Sequence, residues 1–200
     1  MLSLALLLAS GCDGRLGERT ITTELPGAGT TVEDGDAPQT EVDAGDCADA
    51  ETRPTRENLS TIRRATLCLV NAERVKRERK ALDADSRLAD AARAKAADMV
   101  DKRYFAHTGP DGRGVRDWVD GTDYLDGARQ IGLGENLGWA SERGATPLRL
   151  VQGWMNSPGH RQNILRSEWV DSGIGVVLGA PREEGGGGAT YVQMFGYRRG

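Results

Sequence analysis

Histidine is nearly absent from this chain, which holds only His107 and His160 in 200 residues. Its three cysteines form no Cys-x-x-Cys pair, which argues against thiol-disulfide catalysis and cysteine-only zinc sites. There is no His-Glu-x-x-His helix motif, no phosphate-cradling glycine loop and no serine-nucleophile turn. No apolar run reaches the ~18 residues of a membrane-spanning helix. Aromatic side chains are missing before Tyr104, and basic residues are not interleaved with aromatics, so no nucleic-acid surface is expected. What remains is enough for one domain of ordinary size.

The charge is unevenly spread. Residues 13–58 carry twelve acidic and four basic side chains, whereas residues 59–200 carry eighteen and twenty-two. The acidic stretch is rich in Gly, Thr, Asp and Glu and cannot bury enough apolar surface to offset its ordering entropy. Ahead of it, the apolar run Leu2 to Ala9 ends in Leu8-Ala9-Ser10-Gly11-Cys12 and resembles a bacterial lipoprotein signal. Residues 1–11 therefore read as a processing segment, 12–58 as a flexible acidic tether lipidated at Cys12, and 59–198 as the folded domain. The expected location is the bacterial cell envelope, held to the membrane by lipid alone, with secretion as the alternative. Setting Cys12 aside leaves Cys47 and Cys68, an even pair in a chain expected to meet an oxidising compartment. They form a disulfide or remain two thiols, with Cys68 buried as a small hydrophobe.

Leu59, Ile62, Ala65, Leu69 and Ala72 recur at helical spacing, and Leu88, Ala92, Ala96 and Met99 make a second stripe over about 86–100. Thr146-Pro147 and Ser157-Pro158 each set a capping hydroxyl before a proline suited to the first helical turn. Residues 172–179 and 190–196 read as antiparallel strands, and a shorter strand over 130–133 delivers Glu135 from its end. The class is α+β, with a small sheet covered by helices.

His107, Glu135 and His160 are the candidate site. Together they would bind a metal or move a proton, but separations of 28 and 25 residues match no local ligand motif. Spacing alone leaves open the plainer reading, in which each ring only bonds backbone and the carboxylate is solvated.

The order Leu-Val-Asn-Ala-Glu-Arg (69–74), Tyr-Phe-Ala-His-Thr-Gly-Pro-Asp-Gly (104–112), Gly-Glu-Asn-Leu-Gly (134–138), Trp-Met-Asn-Ser-Pro-Gly-His-Arg-Gln-Asn-Ile-Leu (154–165) and Tyr-Val-Gln-Met-Phe-Gly (191–196) resembles bacterial members of the CAP superfamily, the SCP-domain proteins. That resemblance implies an α-β-α sandwich with a cleft over the sheet and a shared site of His107, Glu135 and His160. Many eukaryotic members add a second Glu where this chain has Ser157; Asn156 beside it is polar but cannot act as a base. The implied function is a noncatalytic module binding Zn2+ or another divalent cation, or an unidentified small molecule, lipid or cell-envelope component. The alternatives are a metal-dependent hydrolase with Glu135 as base, and a metal-free protein-interaction module.

Overall fold

The computed structural model describes residues 30–31, 42–141, 144–182 and 188–200. In chain order its elements are β1 (Thr30–Thr31), α1 (Leu59–Val75), β2 (Asp83–Ala84), α2 (Ser86–Asp101), α3 (Val115–Asp120), a 3-10 turn (Asp123–Leu125), β3 (Gln130–Ala140), α4 (Pro147–Asn156), α5 (Pro158–Ile164), β4 (Asp171–Leu178) and β5 (Ala189–Arg199). They build a five-stranded sheet in the order β1-β3-β5-β4-β2. The three long strands are antiparallel, and the two short outer strands run parallel to their neighbours.

Strand periodicity divides the core in two. Along β5, Tyr191, Phe195 and Tyr197 pack with residues of α1, α4 and α5, while Val192 and Met194 pack with α2 and α3. The same alternation in β4 sends Ile174 and Val176 towards α1, with Gly173 and Gly175 under α2. Those glycines have a steric reason. A Cβ on Gly173 would lie 2.1 Å from the backbone nitrogen of Ala89, and one on Gly175 would lie 2.3 Å from the carbonyl carbon of Ala92. The alanine-rich stripe of α2 thus lies directly on the strand backbone. This is the α-β-α sandwich, with helices on both faces of the sheet.

Helix starts follow local chemistry. The Asp85 carboxylate accepts from the N–H groups of Arg87 (2.9 Å) and Leu88 (3.2 Å) to open α2, and Thr146 Oγ1 accepts from Arg149 N–H ahead of Pro147 in α4. Ser157 departs from expectation. It is extended before Pro158, but its hydroxyl makes no cap bond to α5. Its own N–H is taken by the carbonyls of Gly153 and Trp154, so one residue ends α4 and begins α5.

Two boundaries differ from the sequence reading. β3 runs eleven residues, not four, which places Glu135 mid-strand. Helices cover both of its faces, so the apolar alternation that marks a half-exposed strand is missing. The folded body also begins before residue 59. Val42, Cys47 and Ala50 are buried in the α1–α4 core, and the Ala50 carbonyl accepts from Leu148 N–H at 2.8 Å. Cys47 and Cys68 form a disulfide that ties this stretch to α1. That crosslink and a few small apolar groups hold residues 42–58, which the acidic composition of the whole segment concealed. The Thr30–Thr31 pairing with Gly138–Trp139 likewise falls within the expected tether. Cys12 lies outside the described residues. Among those described, no helix is long and apolar enough to cross a membrane.

Candidate functional site

A braced loop following α2 carries His107. The loop is anchored at Tyr104, whose N–H donates to the Met99 carbonyl and whose hydroxyl donates to Asp98 at 2.7 Å. Burial and the Asp98 carboxylate push the Tyr104 phenol well above its ordinary pKa, keeping it a donor. Lys102 and Arg113 both pair with Asp98 and Asp111, and the Arg113 guanidinium lies 3.9 Å from the centre of the Trp118 ring. Gly112 turns the chain at φ +83°, and a Cβ on Gly109 would press on Asp111 and Tyr104. Much of the motif around His107 therefore builds a rigid loop.

The loop delivers His107 to the sheet. Its Nδ1 lies 2.7 Å from Oε1 of Glu135; the carboxylate accepts, so Nδ1 carries the proton and Nε2 is the ring's other nitrogen. Glu135 is 4% exposed and His107 17% exposed at the side chain, so this is a mostly desolvated pair. Glu135 Oε2 is also buried and has no hydrogen-bond partner among the described residues.

Lys95, on α2, was not singled out by sequence reasoning. It is fully buried, its ammonium donates to the His107 carbonyl, and it lies 5.6 and 5.9 Å from the ring centres of Tyr104 and Trp118. Burial lowers its pKa, and attraction to Glu135, Asp98 and Asp111 opposes that shift. In the sequence it was one cation on an alanine-rich helix; its position i−4 to Met99, on the apolar stripe, was the available signal.

His160 and Asn136 belong to a second network. Side chains alternate across a strand, so Asn136 faces away from the Glu135 side chain and towards α5. Its amide donates to the His160 carbonyl (3.3 Å), and Asn163 donates to the Glu135 carbonyl (3.0 Å) and to Asn136 Oδ1 (3.1 Å). Trp154 Nε1 donates to the Leu137 carbonyl at 2.9 Å, and Trp169 Nε1 donates to Asn163. The motifs over 134–138 and 154–165 thus bond to each other: α4 and α5 cover the outer edge of β3 with side-chain donors. His160 is 3% exposed in the first turn of α5, and Asn156 is the partly exposed last residue of α4.

A model of the CAP family, described as the cysteine-rich secretory protein family, matches residues 67–195. The chain belongs to this family. The uncharacterized protein YkwD of Bacillus subtilis is 35% identical over 128 residues, covering 63% of this chain and 46% of that protein. YlbC, an uncharacterized membrane protein of the same organism, is 30% identical over 117 residues, covering 58% of this chain and 32% of its own length. The chain therefore spans less than half the length of these curated relatives. Among solved structures, an extracellular SCP-domain protein from Bacillus anthracis aligns with TM-score 0.55 at 26% identity, covering 73% of this chain and 44% of that one. An outer surface protein from Borrelia burgdorferi aligns with TM-score 0.56 at 20% identity, covering 73% of this chain and 96% of that one, which speaks to the fold.

Zinc in proteins takes at least three protein ligands, and among the described residues no group of three His, Cys, Asp or Glu side chains is placed to hold an ion. Glu135 uses Oε1 to orient His107, the part a carboxylate plays behind a ligand. His107 and Glu135 are brought together; His160 does not complete a three-ligand group with them.

Proposed function

We propose that this CAP domain is a noncatalytic, metal-free interaction module that works outside the cytoplasm. The observation that carries the reading is the hydrogen bond by which Glu135 Oε1 holds His107, beside a buried Lys95 ammonium attracted to the same carboxylate. A carboxylate whose Oε1 orients one ring is occupied as a structural acceptor. The Cys47–Cys68 disulfide supports an oxidising location, as does the extracellular relative from Bacillus anthracis. The lipobox-like end at Cys12 supports a lipid anchor in the cell envelope. A protein or another cell-envelope component is the partner class.

A broad peptide and ester hydrolysis screen with and without added zinc tests the noncatalytic reading. No turnover above buffer is expected from the wild type. Reproducible turnover abolished by Glu135→Gln overturns it.

One observation favours a second reading. Buried and without a hydrogen-bond partner among the described residues, Glu135 Oε2 is an acceptor beside His107, which supports divalent-ion binding by His107 and Glu135. Zinc titration separates the two readings.

A further inference from the structure

Away from the His107–Glu135 pair, the turn after α1 and the segment leaving α5 enclose a cleft of about 480 Å3 lined by Arg79, Gln162, Asn163, Arg166, Ser167 and Glu168, with Leu165 as its apolar wall. Its electrostatics are unbalanced. Arg74 is fully buried behind that wall, its guanidinium donating to the carbonyls of Lys80 (2.8 Å), Arg166 (3.0 Å) and Ile164. Its Nη2 is buried without a hydrogen-bond partner among the described residues. The acid next to it on α1, Glu73, is bound to Arg77 at 2.6 Å. Arg79 adds like charge close enough to depress the Arg74 pKa further, beyond the effect of burial. The Glu168 carboxylate in the cleft accepts from the Ser167 hydroxyl at 3.1 Å and stands 3.7 Å from Arg166. Two guanidinium groups, those of Arg79 and Arg166, thus line the cleft with one carboxylate, and that carboxylate is placed against Arg166, not Arg79.

We propose that this cleft is an oxyanion-binding site, taking the carboxylate or phosphate group of a small ligand. Arg79 offers an exposed guanidinium with no acid partner among the described residues, a fork suited to planar or tetrahedral oxyanions. Gln162 adds a neutral donor, and Leu165 gives an apolar surface for the carbon next to the anion. Glu168 competes for the same cations and sets the affinity from within. This site is separate from the proposed interaction role of the domain and does not depend on it.

The test is an amide NMR titration of the full-length, tag-free chain with acetate, N-acetylglycine and inorganic phosphate at constant ionic strength. Saturable shifts are expected at Leu165, Ser167 and the Gln162 side-chain amide. Saturation by the carboxylates alone or by phosphate alone supports the site and names its anion. Arg79→Gln should weaken binding about tenfold, the loss of one charge-assisted hydrogen bond, and Glu168→Gln should tighten it. Both side chains are exposed, so spectra elsewhere report that the fold is kept. Non-saturating shifts, or a titration unchanged by Arg79→Gln, would overturn the proposal.

Discussion

Replacing Trp154 is the sharpest test of how the two motif segments hold each other. The indole is fully buried in α4, and Gly138 on β3 leaves room for it: a Cβ there would lie 3.0 Å from the indole nitrogen. Its Nε1 is also the donor to the Leu137 carbonyl, one of the outward-facing carbonyls of β3. Trp154→Ala removes the packed ring, costing ~3–5 kcal/mol through lost burial and a residual cavity. Trp154→Phe restores most of the apolar contact and loses the donor, for an expected cost of ~1–2 kcal/mol. Urea denaturation of the three proteins, with a common m-value confirming that the same surface unfolds, measures both terms. A loss below ~1 kcal/mol for the alanine variant would refute the packing argument, and a neutral Trp154→Phe would remove the hydrogen bond from it.

Three further outcomes follow from particular contacts. Joint replacement of Cys47 and Cys68 by serine should cost about 3 kcal/mol, since the crosslink closes a separation of 21 residues; denaturation with and without reductant checks it, and the variant should no longer respond to reductant. Gly173→Ala sets a methyl against the backbone of α2 and should destabilise by at least ~3 kcal/mol, read as a lowered melting temperature or loss of folded protein. Burial raises the Asp85 carboxyl, but Arg87 and the N–H groups of Leu88 and Arg87 outweigh it, leaving its pKa below the usual value. Its stabilisation is therefore present above the unfolded pKa of about 4 and is lost as pH falls through the lower folded value. Asp85→Ala should cost ~1–2 kcal/mol at neutral pH and converge with the wild type in acid, as denaturation across pH will report.

Four helices were legible, α1 and α2 from their apolar stripes and α4 and α5 from Thr146-Pro147 and Ser157-Pro158, whereas the six-residue α3 is too short to show a stripe. The central strands over 171–178 and 189–199 were legible from β-branched and aromatic runs. β3 was legible only over 130–133, because Gly134, Glu135 and Asn136 carry no strand periodicity; each of them answers to a neighbour, Trp169, His107 or Asn163, that only tertiary folding supplies. The pairing of His107 with Glu135 followed from the family resemblance, whereas Lys95 lay hidden in an alanine-rich helix whose composition gives no hint of a buried ammonium. The start of the folded body was misplaced because net charge was averaged over a segment in which three small residues, Val42, Cys47 and Ala50, do the packing.

The central question at the His107–Glu135 pair is whether it is complete without a metal. Calorimetric titration of the tag-free protein with zinc at about pH 7.5, where unperturbed imidazoles are neutral, decides it. A metal-free pair should show no saturable one-site binding and a trace indistinguishable from that of the His107→Ala/His160→Ala double variant. Saturable one-to-one binding in the wild type that disappears in the double variant would contradict it.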